Sequence, residues 1–111
     1  MAFFLNHLCL KALHHAPQAP GFRQLFDTAA ETYFNFSADD AAVIDRRSAR
    51  LLLMLLLARI DGKSPVEYLR DETKKQFVRE FVSRLLPHFQ GSLNEVRSLW
   101  FQQIEKRFAP P

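Results

Sequence analysis

Cysteine occurs once and glycine three times in 111 residues, and the longest apolar run is far too short to cross a bilayer. A lone cysteine excludes an internal disulfide framework. Cys9 lies between Leu8 and Leu10 and reads as a small buried hydrophobe rather than a nucleophile, which fits a reducing cytoplasm. Scarce glycine, with no sustained alternation of apolar and polar residues, argues against strands and hairpins. The run from Leu51 to Ala58 holds eight consecutive apolar residues closed by Arg50 and Arg59, where a membrane span needs about 20. The first ten residues are apolar in flavour, but no basic residue precedes them and Asn6 and His7 interrupt them, so they make a poor signal peptide.

Catalytic signatures are missing as well. The chain has no glycine-rich phosphate loop, no nucleophile elbow and no local Ser, His and Asp arrangement, so nothing in it supplies a means of binding ATP. His7 and His14 share a helix face two turns apart, but a zinc pair would want spacing of four and a further ligand; they read as solvated or cleft histidines. Asp39 and Asp40 diverge by about 100° on a helix and suit its first turn, where the dipole favours anions.

Apolar residues make up 48% of the chain, and 11 of them are Phe, more bulky material than a minimal core requires. A single domain of residues 1–111 with surplus apolar surface is expected. A net charge of +3 from 15 basic and 12 acidic residues gives solubility and too weak a field for a nucleic-acid partner. The densest basic cluster, Arg46, Arg47 and Arg50, sits near Asp39, Asp40 and Asp45 and reads as a solvated helix face.

The periodicity predicts an all-α fold, an irregular bundle of five to six helices around a central apolar helix. The first helix spans 2–14, with Asn6, His7, Lys11 and His14 within about 140° of one another and Phe3, Phe4, Leu5, Leu8, Leu10 and Leu13 on the apolar side. Residues 16–21, with two prolines and a glycine, predict a loop. A second helix over about 22–36 follows, then a third over about 38–60, capped by Ser37 and bending near 46–48. Leu51 to Leu57, apolar all round, makes that third helix the expected centre, with Gly62 as its stop. Ser64, Pro65, Val66 and Glu67 form a capping box for a short helix through Leu69; Asp71 caps the next, which Pro87 ends. Ser92 and Glu95 open a last helix with Leu93, Val96, Trp100, Ile104 and Phe108 on one face, and residues 109–111 form a frayed tail.

The least generic segment runs from Ala58 to Leu69. Arg59, Asp61, Lys63, Ser64, Glu67 and Tyr68 crowd one helix-to-helix turn, where a capping arrangement and an anion site are both open readings. Two stretches carry a resemblance. Residues 2–13 resemble the helix that follows the metal-binding Asp in bacterial aminoglycoside-phosphotransferase-like (choline-kinase-like) small-molecule kinases, and residues 55–69 look like a segment from the C-terminal helices of some members.

The resemblance implies an acceptor-side C-terminal subdomain that shapes an acceptor pocket. The family's catalytic loop, His-Gly-Asp followed by Asn, and its second, magnesium-binding Asp do not occur here. It therefore implies no catalysis by this chain alone: ATP and Mg²⁺ would belong only to a full-length parent, with no metal or cofactor held here. Met1 falls about where such a chain would emerge from the catalytic core, and the lack of a cap before Ala2 fits that reading. Asn6, His7, Arg59, Asp61 and Lys63 are the polar residues expected to line a cleft, none with an assigned chemical role. The expected partner is the missing catalytic half or a second copy, in a cytoplasmic protein that touches neither nucleic acid nor membrane. The competing expectation is a self-contained helical module for protein interaction or homodimerisation.

Overall fold

The computed structural model describes residues 1–36, 41–62 and 68–108, without the side chains of 34–36. Among the described residues five α-helices carry the fold: α1 (Ala2–His14), α2 (Ala19–Phe36), α3 (Ala41–Asp61), α4 (Glu72–Leu85) and α5 (Leu93–Phe108). Short 3₁₀ turns at Ala16–Gln18 and Leu86–His88 join α1 to α2 and follow α4. Strands are absent among the described residues, so the all-α bundle expected from periodicity is the observed architecture.

Helix starts follow local chemistry. Asp71 adopts an extended backbone and its Oδ1 accepts from Thr73 N at 2.9 Å, which satisfies an otherwise orphaned donor of α4. Ser92 Oγ accepts from Glu95 N at 3.2 Å at the start of α5. A carboxylate from another helix completes that start: Asp45 Oδ1 of α3 accepts from Leu93 N at 2.7 Å. Leu85 is the last α-helical residue before Pro87 enters the first turn of a 3₁₀ segment, a place where its missing N–H costs nothing.

Residues 16–21 are not a loop, contrary to the reading from their prolines and glycine. Pro17 occupies the first turn of the 3₁₀ helix, and Pro20 is the second residue of α2, so both stand where an unpaired N–H is already the rule. Gly21 is then carried inside the first turn of α2. Similarly, α3 passes through residues 46–48 as an unbroken α-helix, because no proline, glycine or inserted side chain interrupts its ladder. At its end, Gly62 N donates to Ala58 O at 2.7 Å, and a Cβ on Gly62 would stand 2.2 Å from that oxygen, so the close turn excludes any side chain. Tyr68 and Leu69 are not helical; the Ser64 capping box, the Ser37 cap with Asp39 and Asp40, and the tail at 109–111 lie outside the described residues.

The centre of the bundle is α1 rather than the leucine-rich α3. Leu5, Leu8, Cys9, Leu10, Ala12 and Leu13 of α1 are all buried, and α2, α3 and α5 pack around it. On α3 the stripe Ala49, Leu52, Leu53, Leu56 and Ile60 is buried and Leu55 and Leu57 are partly so, while Leu51 and Met54 remain 48% and 51% exposed. An apolar run names no inward direction; the partner helices chose it. Opposite α1, Trp100 of α5 is fully buried with its ring centroid 5.2 Å from Phe77 and 5.0 Å from Phe81, and its Nε1 donates to Cys9 O at 3.1 Å. One continuous core therefore draws on every helix. Arg97 of α5 pairs with Asp27 of α2 at its rim. Among the described residues no helix is long and apolar enough to cross a membrane.

Candidate functional site

The start of α1 meets the end of α3, and the polar groups expected from sequence are sorted there. Asn6 lies at the edge of the polar arc of α1 and is buried by the helices packed around it: at 0% exposure it is the one buried polar residue among the described residues. Its Nδ2 makes a long, 3.4 Å bond to Phe3 O within the same helix, and its Oδ1 is buried with no donor. Arg59 of α3 lies near Phe3, its guanidinium carbon 6.0 Å from the centroid of the Phe3 ring, and its Nε is likewise buried and without a hydrogen-bond partner. Phe3 in turn meets the His7 ring edge-on at 4.7 Å.

Tyr68 completes the group. Its hydroxyl is a third buried atom without a partner, and its ring centroid stands 5.3 Å from that of His14, two turns along α1 from His7. Lys74 Nζ of α4 donates to His14 O at 3.3 Å, closing the far side. Buried polar atoms are paired in the great majority of cases, so three unpaired ones within a single neighbourhood mark it as unusual. Two of them, Arg59 Nε and Tyr68 OH, can donate; Asn6 Oδ1 can only accept.

The local field is positive. Burial, reinforced by Arg59 and Lys11, holds the His7 imidazole below its ordinary pKa. Burial also lowers that of His14, with His15 and Lys74 adding to it. Burial pushes the Tyr68 phenol up, and the nearby Arg59 charge only partly offsets the shift. Burial and the neighbouring positive charges thus disfavour protonation of His7 and His14, and burial disfavours ionisation of the Tyr68 phenol.

Asp61 does not join this group. It faces α4, where Arg79 grips both its oxygens, Nε at 3.0 and 2.9 Å and Nη2 at 2.9 Å, while Arg79 Nη1 reaches Glu72 at 2.7 Å and Gln76 at 3.2 Å. The hydrogen bonds from Arg79 hold the Asp61 carboxyl below its usual range. Asp61 is therefore half of a clamp between α3 and α4. Lys63 lies outside the described residues. Of the expected residues, Asn6, His7 and Arg59 come together; Tyr68 belongs with them and was passed over, although it stands in the same polar segment.

No group of three or more His, Cys, Asp or Glu side chains able to hold a metal occurs among the described residues. Cys9 is fully buried and its thiol is pushed well above the ordinary range, so it is inert. No family model, curated protein or solved structure matches the chain.

Proposed function

We propose that this bundle is the acceptor-side helical subdomain of an aminoglycoside-phosphotransferase-like small-molecule kinase, shaping the pocket for the phosphate acceptor and inactive by itself. The observation that carries the reading is a meeting. The described parts of the two stretches that resemble that family, 2–13 on α1 and 55–61 on α3, belong to helices in contact, with His7, Arg59 and Tyr68 near one another. Phosphoryl transfer needs a lysine and Mg²⁺ on the nucleotide side, and the motifs that supply them are not in this sequence. ATP and Mg²⁺ belong to the other half of such an enzyme, while these residues orient an acceptor by hydrogen bonds.

The test is complementation. The chain is mixed with a separately produced catalytic half that carries the His-Gly-Asp loop and the second Asp of that family, and Mg²⁺-dependent transfer from ATP to a panel of small-molecule acceptors is followed. Activity that neither piece shows alone, with an Arg59→Gln variant raising KM for the acceptor more than it lowers kcat, is the expected outcome. Transfer that is no faster with the chain than without it would remove the proposal.

A second reading, a self-contained interaction or homodimerisation module, is favoured by apolar side chains exposed away from α1, Leu25 of α2 at 54% and Leu51 and Met54 of α3 at 48% and 51%. A stable two-fold dimer seen by sedimentation, with an interface that leaves Phe3 and Phe4 exposed, favours that reading over the kinase subdomain.

A further inference from the structure

A second polar feature lies away from the Asn6 neighbourhood and owes nothing to it. Val43, Arg46, Arg47 and Arg50 recur at i, i+3, i+4 and i+7 on α3, so one face of the helix presents three guanidinium groups. Phe89 and Gln90, from the connection between α4 and α5, flank that face, and together they line an open cavity of about 380 Å³. Arg50 is fixed there by a 2.7 Å bond from its Nη1 to Phe89 O, which leaves other N–H donors of its guanidinium open. Among the described residues no carboxylate lines the cavity. Asp45, the nearest acid along the helix among the described residues, spends an oxygen on Leu93 N. Among the described residues, Arg46 and Arg47 have no ion pair or hydrogen-bond partner.

We propose that this cavity is a binding site for a small phosphate-bearing anion. Three guanidinium forks facing one space call for a ligand with several oxygens and more than one negative charge; a carboxylate fills a single fork, whereas a phosphate or diphosphate group engages all three. The three arginines of this cavity come from a single helix face beside the Phe89 connection, a compact cluster that matches a compact anion.

The experiment is an NMR titration of the full chain with inorganic pyrophosphate at low ionic strength, run beside sulfate and beside vesicles containing a phosphorylated phosphatidylinositol. Backbone shifts gathered on residues 43–50 and 89–90, with pyrophosphate bound more tightly than sulfate, are expected. An Arg46→Gln, Arg47→Gln double variant changes two exposed side chains and should keep the fold while weakening pyrophosphate binding by at least about tenfold. The lysine pair, Arg46→Lys with Arg47→Lys, should recover part of that loss, since charge returns without the planar fork. Undiminished binding by the glutamine variant, shifts centred on Asn6, Arg59 and Tyr68, or no binding at all would each overturn the site. Binding to the vesicles without binding of the soluble ion would overturn its assignment to a small molecule.

Discussion

Replacing Asn6 with leucine should make the protein more stable while damaging whatever the α1–α3 junction does. Asn6 is wholly buried, its single hydrogen bond to Phe3 O is stretched to 3.4 Å, and Oδ1 has no donor. An unsatisfied buried acceptor costs about 1–3 kcal/mol, and an apolar side chain of similar shape removes that cost at a stroke. Leucine is somewhat bulkier, and strain takes back part of the gain, so a net increase of about 1–2 kcal/mol is expected. Helix propensity alone would favour leucine by up to about 0.5 kcal/mol, which sets the threshold the measurement must exceed. Urea unfolding followed by circular dichroism reads the change as a higher midpoint at constant m, and thermal melts should rise by roughly 4–8 °C per kcal/mol. A loss of stability, or a gain no larger than propensity supplies, would show that Oδ1 is satisfied in solution and that the junction holds no unpaired acceptor.

Two further outcomes follow from the core and from the histidines. Trp100→Phe removes the Nε1 bond to Cys9 O and part of a ring packed against Phe77 and Phe81; a loss of about 2–4 kcal/mol by urea unfolding is expected, and a change below about 1 kcal/mol would contradict the packing described. His7 and His14 have lowered pKa values in the fold, so the unfolded chain takes up protons first as pH drops. Their contribution is complete above the unfolded imidazole value near 6.5 and declines as pH falls from there through the folded values, so the melting temperature should decrease between about pH 7.5 and 5.5. A His7→Gln, His14→Gln variant should flatten that decrease; an unchanged slope would place its origin elsewhere.

Much of the fold was legible in the residues because helix boundaries are local chemistry. The bounds of α1, the Asp71 cap, the Ser92 start of α5 and the stop before Pro87 each depend on a few neighbours in sequence. What failed depended on position within an element or on distant partners. Proline in residues 16–21 breaks a helix interior but not a first turn, and composition alone does not say which is present. Leu51 and Met54 differ from Leu52 and Leu53 only in where α1 and α4 happen to lie. In the candidate site, Asn6 was grouped with a polar arc whose edge the surrounding helices bury, and Asp61 was claimed by Arg79 from 18 residues away. Tyr68 had the one available signal, a phenol set among charges beside Arg59, which gains meaning only once His14 is seen against it.

The bond between Trp100 and the carbonyl of Cys9 spans 91 residues. On the ribosome α1 is made long before α5, so the most apolar helix of the bundle must wait for its lid. Until the indole arrives, Leu5, Leu8 and Leu13 have only the partners already synthesised. Folding of this core is therefore completed late, and a nascent chain stalled before Trp100 should present α1 to chaperones and proteases that never see it in the finished protein.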